Sequence, residues 1–139
     1  MLVGKVAPIQ PPQVERGNEV VRIIVRPQRE DFTIHENLIC AASAFFQTAL
    51  TGNFIEGAEQ KVTLPEEDHQ LFQLVYNWLY SGRVADGVTT YLKKEDVCSG
   101  DIFWWRVYQI GNRLMMDRLR VLAIAQDPQL LYHPQAIRP

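Results

Sequence analysis

The sequence predicts a single α+β domain, with helices packed against a small sheet. Three observations predict it. A β-branched run, Val20, Val21, Ile23, Ile24 and Val25, suits a pleated, half-buried strand. Further on, Leu71, Leu74, Val75, Trp78 and Leu79 are spaced as one apolar stripe of a helix. The chain has 139 residues, 47% hydrophobic and 22% charged, which is enough for one buried core and unlike a disordered composition.

The elements follow in order. Residues 1–17 read as a flexible N-terminal tail, because Pro8, Pro11 and Pro12 disfavour regular structure and Gly17-Asn18 marks a turn. The domain itself is expected over residues 18–127. Its first strand runs through Val20–Val25 and stops at Pro27. Gln28 to Glu30 makes a polar hairpin connection, and Phe32, Thr33 and Ile34 alternate as the return strand. A short helix is expected from His35 to Cys40. Ser43 suits the N-cap of a second helix that carries Phe45, Phe46, Ala49 and Leu50 and stops at Gly52. Gln60 to Leu64 reads as a third strand.

Pro65 is expected to open the central helix, with Glu66, Glu67 and Asp68 complementing its positive end and Gly82 closing it. Residues 83–100 read as a long loop, with room for an edge strand at Arg83-Val84 or Thr90–Leu92. Asp101 can cap another helix, whose stripe is Phe103, Val107, Ile110 and Leu114. A final helix places Met115, Leu119, Leu122 and Ala123 on one face and ends at Asp127-Pro128. Residues 128–139 read as a C-terminal tail. Three strands and roughly five or six helices result.

Several function classes find no support. A net charge of −2 lacks the basic excess that phosphate neutralisation demands, so no nucleic acid is expected. Arg113, Arg118 and Arg120 read as the wet side of a helix. The longest near-apolar run, Leu38 to Phe46, is far short of the roughly 20 residues a spanning helix needs, so no membrane is expected. The start of the chain does not read as a secretory signal, and Cys40 and Cys98 form no disulfide framework. A reducing compartment, cytoplasmic or nuclear, follows. Catalysis by Cys40 and His35 needs an exposed, electropositive thiol. Cys40 sits among Leu38, Ile39, Ala41 and Ala42, which predicts burial. His35, His69 and His133 lack the close spacing of zinc ligands, so no metal and no cofactor are expected. The chain is not expected to be an enzyme.

Five landmarks in order resemble the BTB/POZ family over roughly residues 18–126. They are Phe32-Thr33-Ile34-His35; Leu38 through Ala42-Ser43-Ala44-Phe45-Phe46; Val62-Thr63-Leu64-Pro65-Glu66-Glu67-Asp68 with Phe72; Trp78-Leu79-Tyr80-Ser81-Gly82-Arg83-Val84; and Tyr108 through Ile110-Gly111-Asn112-Arg113-Leu114 to Leu119 and Ala123-Ile124. The tryptophan before Leu79 and the long loop after Val84 look most like the fungal branch. Where the family commonly has a basic residue after the histidine, this chain has Glu36.

The resemblance implies a protein–protein interaction module that forms a homodimer or other homo-oligomer and recruits partner proteins. In the subset that docks onto a cullin ubiquitin-ligase scaffold, a hydrophobic-x-glutamate pattern follows the second helix; Phe54-Ile55-Glu56 fits it. Either Phe54 anchors in a partner and Glu56 adds a charged contact, or Phe54 folds back and Glu56 is solvated. A Skp1-like or channel-tetramerisation-like scaffold shares the same core and stands as an alternative. Trp104 and Trp105 point about 100° apart on a helix, so one lines a partner groove or is covered by the loop at 83–100. For self-association, Val20, Val21 and Ile23 on the first strand are the candidates, with the first helix beside them.

Overall fold

The computed structural model describes residues 9–26, 29–52, 58–65, 67–84 and 100–132. Strands β1 (Val20–Val25), β2 (Glu30–His35) and β3 (Lys61–Leu64) form a sheet in the order β2-β1-β3. β2 runs antiparallel to β1, and β3 runs parallel to it. A parallel neighbour needs a crossover, supplied here by β2, α1 (Glu36–Ala42) and α2 (Ala44–Thr51). Then come α3 (His69–Ser81), α4 (Gly100–Arg113), α5 (Asp117–Gln126) and a 3-10 turn at Pro128–Tyr132. The class is the expected α+β, with three strands and five α-helices among the described residues.

Register explains the core. Val21 faces Ile34, Ile23 faces both Phe32 and Val62, and Val25 faces Leu64. Side chains alternate across a strand, so these residues share one face, and all are buried in the core. Arg22 lies on the other face and pairs with Asp31 at 2.9 Å. A slip of one residue would exchange the two sets, which holds the register firmly.

α3 seals that face. Leu71, Leu74, Val75, Trp78 and Leu79 are buried as the spacing predicts, and Phe72 joins them. Its start is corrected. Pro65 lies in the turn after β3, and the cap is Asp68, whose carboxylate accepts from the amides of Gln70 and Leu71. The reason is that the parallel ladder runs on past Leu64. Arg26 N–H donates to Leu64 O, and Glu67 N–H donates to Arg26 O. That holds Glu67 beside the end of β1 and delays the helix. At the other end Gly82 adopts φ 78, the left-handed C-cap expected of it.

The expected stripe of α4, Phe103, Val107, Ile110 and Leu114, is buried throughout. Asp101 falls inside this helix rather than ahead of it. α4 closes with Met116 N–H donating to Gly111 O and Met115 N–H donating to Asn112 O, while Met115 takes φ 54. This is a Schellman closure with methionine where glycine is usual. It turns Met115 outward, 52% exposed, and brings Met116 into the core in its place. The stripe of α5 therefore starts at Met116, one residue later than expected. Gly111 lets α5 approach, since a Cβ there would lie 3.3 Å from the Arg120 amide nitrogen.

Ser43 joins the early and late helices. Its hydroxyl accepts from the Phe46 amide, the expected cap, and donates to Leu114 O at 2.5 Å. Ala44 N–H reaches Met115 O beside it.

Both ends differ from the expected tails. Residues 9–17 lie along the domain outside helix and strand, with Pro11 buried. Prolines had argued against regular structure, which is not the same as freedom. Past Asp127, Leu130 is buried in the 3-10 turn. Arg83-Val84 forms no strand, although Val84 is buried. Thr90–Leu92 lies outside the described residues.

Candidate interaction surfaces

Phe72, Tyr76 and Tyr80 recur every fourth residue of α3 and so line one side of it. Phe32 packs edge-on against Phe72, with centroids 4.9 Å apart, and also meets Tyr76. Tyr76 meets Tyr80, and Tyr80 meets the ring of His35. The Tyr80 hydroxyl accepts from the His35 amide at 3.0 Å and lies 2.8 Å from His35 Nδ1. The hydroxyl therefore bonds both the backbone and the ring of His35. His35 thus pins the end of β2 to the end of α3. The Arg16 guanidinium covers the Tyr80 ring at 5.0 Å.

A second polar feature departs from the helix-dipole role that the sequence suggests for Glu66, Glu67 and Asp68. Glu67 is instead buried, and Arg113 of α4 grips its carboxylate with both Nε, at 3.1 Å, and Nη2. The Glu67 side chain is 7% exposed and that of Arg113 is 49% exposed. An open concavity of about 330 Å³ lies here, lined by Glu67, Asp68, Leu71, Arg106, Gln109 and Arg113. The arginines expected on a wet helix side are engaged: Arg118 donates to Gln10 O, and Arg120 to Asn112 and Asp117. These partners lie in other elements or were not foreseeable from spacing, except for the i, i+3 pair of Asp117 and Arg120.

Phe54 and Glu56, the residues singled out for a partner, lie outside the described residues, as does Cys98. Trp104 and Trp105 are both half-buried and packed against the core. Trp104 stands edge-on to Phe103 at 4.8 Å, and Trp105 stacks on Tyr108 at 5.9 Å. Of the three self-association candidates, only Val20 presents surface, at 44% exposure. Val21 and Ile23 turn into the domain's own core. β1 is also the central strand, paired with β2 along its whole length and with β3 from Arg22 to Val25.

Cys40 is half-buried rather than buried, and is a free thiol. Burial, then the nearby Glu36 charge, pushes its pKa up, which opposes thiolate formation. Among the described residues no group of three or more His, Cys, Asp or Glu side chains is placed to hold a metal, and no helix is long and apolar enough to cross a membrane.

A three-stranded mixed sheet sealed by α3 and flanked by paired helices defines a class of interaction domain, and comparison with known proteins agrees. The family model described as BTB/POZ domain matches residues 15–97, more than half of the chain. The chain belongs to the BTB/POZ family, whose members are protein–protein interaction modules. It is also 30% identical over 54 residues to the human Kelch repeat and BTB domain-containing protein 7. That match takes in 39% of this chain and 8% of the relative.

Proposed function

We propose that this chain assembles with a second copy of itself and recruits a further protein, as an adaptor that docks on a cullin scaffold. The family membership carries the reading. Phe54-Ile55-Glu56 supports the cullin part, because it follows α2 in the sequence position where cullin-docking relatives carry a hydrophobic-x-glutamate pattern. The relative whose name joins Kelch repeats to a BTB domain suits an adaptor, since one module can hold a scaffold while another holds a substrate. The likeness to the fungal branch rests on Trp78-Leu79 and the segment after Val84; the relative above is human.

Self-association is drawn on a revised face. Val20 and the exposed side of α1, where Asn37 and Ala41 stand, replace Val21 and Ile23. Sedimentation equilibrium at micromolar concentration should give a dimer; a monomer removes this part, and a tetramer would favour the channel-tetramerisation-like scaffold. For docking, Phe54→Ala and Glu56→Ala should each weaken binding to a cullin N-terminal region without moving the melting temperature. Absence of binding by the unaltered chain removes the adaptor reading.

A further inference from the structure

We propose that the end of α3, with α1 and α5 beside it, forms a groove for extended, proline-containing peptides, filled in this chain by its own residues 9–17. The inference goes beyond cullin docking and self-association: it uses neither residues 54–56 nor Val20, and shares only Asn37 of α1 with the self-association face. Its basis is the direction of the hydrogen bonds. The Trp78 indole N–H donates to Ile9 O at 3.1 Å. Arg118 Nε donates to Gln10 O, and the Asn37 amide donates to Glu15 O at 3.2 Å. Three side chains from three helices thus reach carbonyls of one segment outside helix and strand. The segment offers backbone acceptors, and the domain offers fixed donors. Aromatic-lined grooves that donate to carbonyls of a proline-stiffened chain are a general mode of peptide recognition.

Two side chains add selectivity. Pro11 is buried, and its ring fixes one backbone angle before binding, which lowers the ordering cost. Arg16 lies on Tyr80, five residues further along. Gly82 completes the groove, because a Cβ there would come within 3.3–3.4 Å of Gln10 side-chain atoms. The fit is incomplete: a cavity of about 130 Å³ remains, bordered by Pro11, Pro12, Leu38, Leu79 and Tyr80. A segment held by backbone hydrogen bonds and one stacked cation over a partly empty floor is exchangeable. The occupant in trans is a partner's peptide of the same kind, with a proline near its start and an arginine about five residues later.

The test uses the whole chain and a fluorescent peptide with the sequence of residues 9–17. In the unaltered chain the tethered segment competes at an effective concentration on the order of millimolar, so the peptide binds weakly. Pro11→Asp with Arg16→Ala loosens the tether and leaves every groove donor in place. Peptide affinity should then rise about tenfold or more, and adding Arg118→Ala should remove about tenfold of it. Equal affinity for the unaltered and loosened chains overturns the proposal. So does unfolding of the loosened chain by circular dichroism, because the segment would then be part of the core. A second measurement needs no variant. Trypsin cuts after Arg16 only when the segment is out, so an excess of unlabelled peptide 9–15, which lacks arginine, should speed that cut several-fold. An unchanged rate overturns the proposal as well.

Discussion

The sheet with α1–α3 and the α4–α5 pair are held together by different means. In the first region apolar side chains meet across a register that alternation fixes, from Ile23 between Phe32 and Val62 to Trp78 above them. In the second, α4 and α5 pack mainly on each other, and their joint turns on a left-handed residue, Met115, and a close contact at Gly111. The regions meet through shared apolar core and three polar ties, Ser43 to Leu114, Ala44 to Met115 and Glu67 to Arg113. The difference teaches that local pattern builds the first region, while side chains distant in sequence set how the second is attached.

The largest effects test whether the two regions unfold as one. Phe72→Ala and Phe103→Ala each empty a site with 0% exposure, one in each region. Each should cost about 3–5 kcal/mol. Denaturant unfolding followed by circular dichroism and by tryptophan fluorescence should stay coincident for both. Two separated transitions would make the regions independent and the ties incidental.

The ion-pair tie comes next. Arg113→Ala leaves a buried carboxylate without its partner, whereas Glu67→Gln leaves a half-exposed guanidinium that water can solvate. The first should cost about 3 kcal/mol and the second about 1 kcal/mol, since the penalty lies in the stranded buried charge. Equal losses would mean that water reaches Glu67 freely. Ser43→Ala should cost about 2 kcal/mol, because it removes a cap and the donor to Leu114 together. A loss near 1 kcal/mol, the cap alone, would show that the contact to Leu114 contributes nothing to holding α4.

The same contrast explains what the sequence made legible. The strands, the α3 stripe, the Ser43 cap and the Gly82 close all follow from period or from one residue's local chemistry. Glu67 did not, because a row of three acids before a helix has the same local look whether or not Arg113 waits forty-six residues later. Met115 and Met116 are chemically equal, and only the turn decides which is buried. Residues 9–17 carry prolines that rule out helix and strand, yet donors on three distant helices hold them in place. The surface residues fared worst. Val21 and Ile23 suggest an interface by apolarity alone, and apolarity cannot distinguish a partner's core from the domain's own.

A smaller change works in the stabilising direction. Met115→Gly relieves a side chain held at φ 54 without touching either closing hydrogen bond. Relief of left-handed strain, less the added freedom of the unfolded glycine chain, should gain about 0.5–1 kcal/mol, read as a higher denaturant midpoint at unchanged slope. Destabilisation would mean that the Met115 side chain packs in a way its 52% exposure does not suggest.

The smallest effect uses Cys40 as a reporter of the first region. Its thiol is half-buried and points toward Phe46 O at 3.9 Å, across the α1–α2 joint. Burial first, and Glu36 second, hold its pKa above the ordinary value. The sign follows: the folded state favours the protonated thiol, so this contribution to stability is present below about pH 8.5 and is lost as pH rises through the folded pKa. Alkylation at Cys40, separated from Cys98 by peptide mass, should therefore be slow at neutral pH and rise about tenfold per pH unit, because the thiolate reacts. Since the group is already partly open to solvent, Met115→Gly should leave the rate unchanged. A rate that falls about fivefold, matching a stabilisation near 1 kcal/mol, would mean that Cys40 reacts only after an opening shared with α4 and α5. That result would erase the contrast between the regions, because the joint at Ser43 would then open only when the distant helix pair lets go.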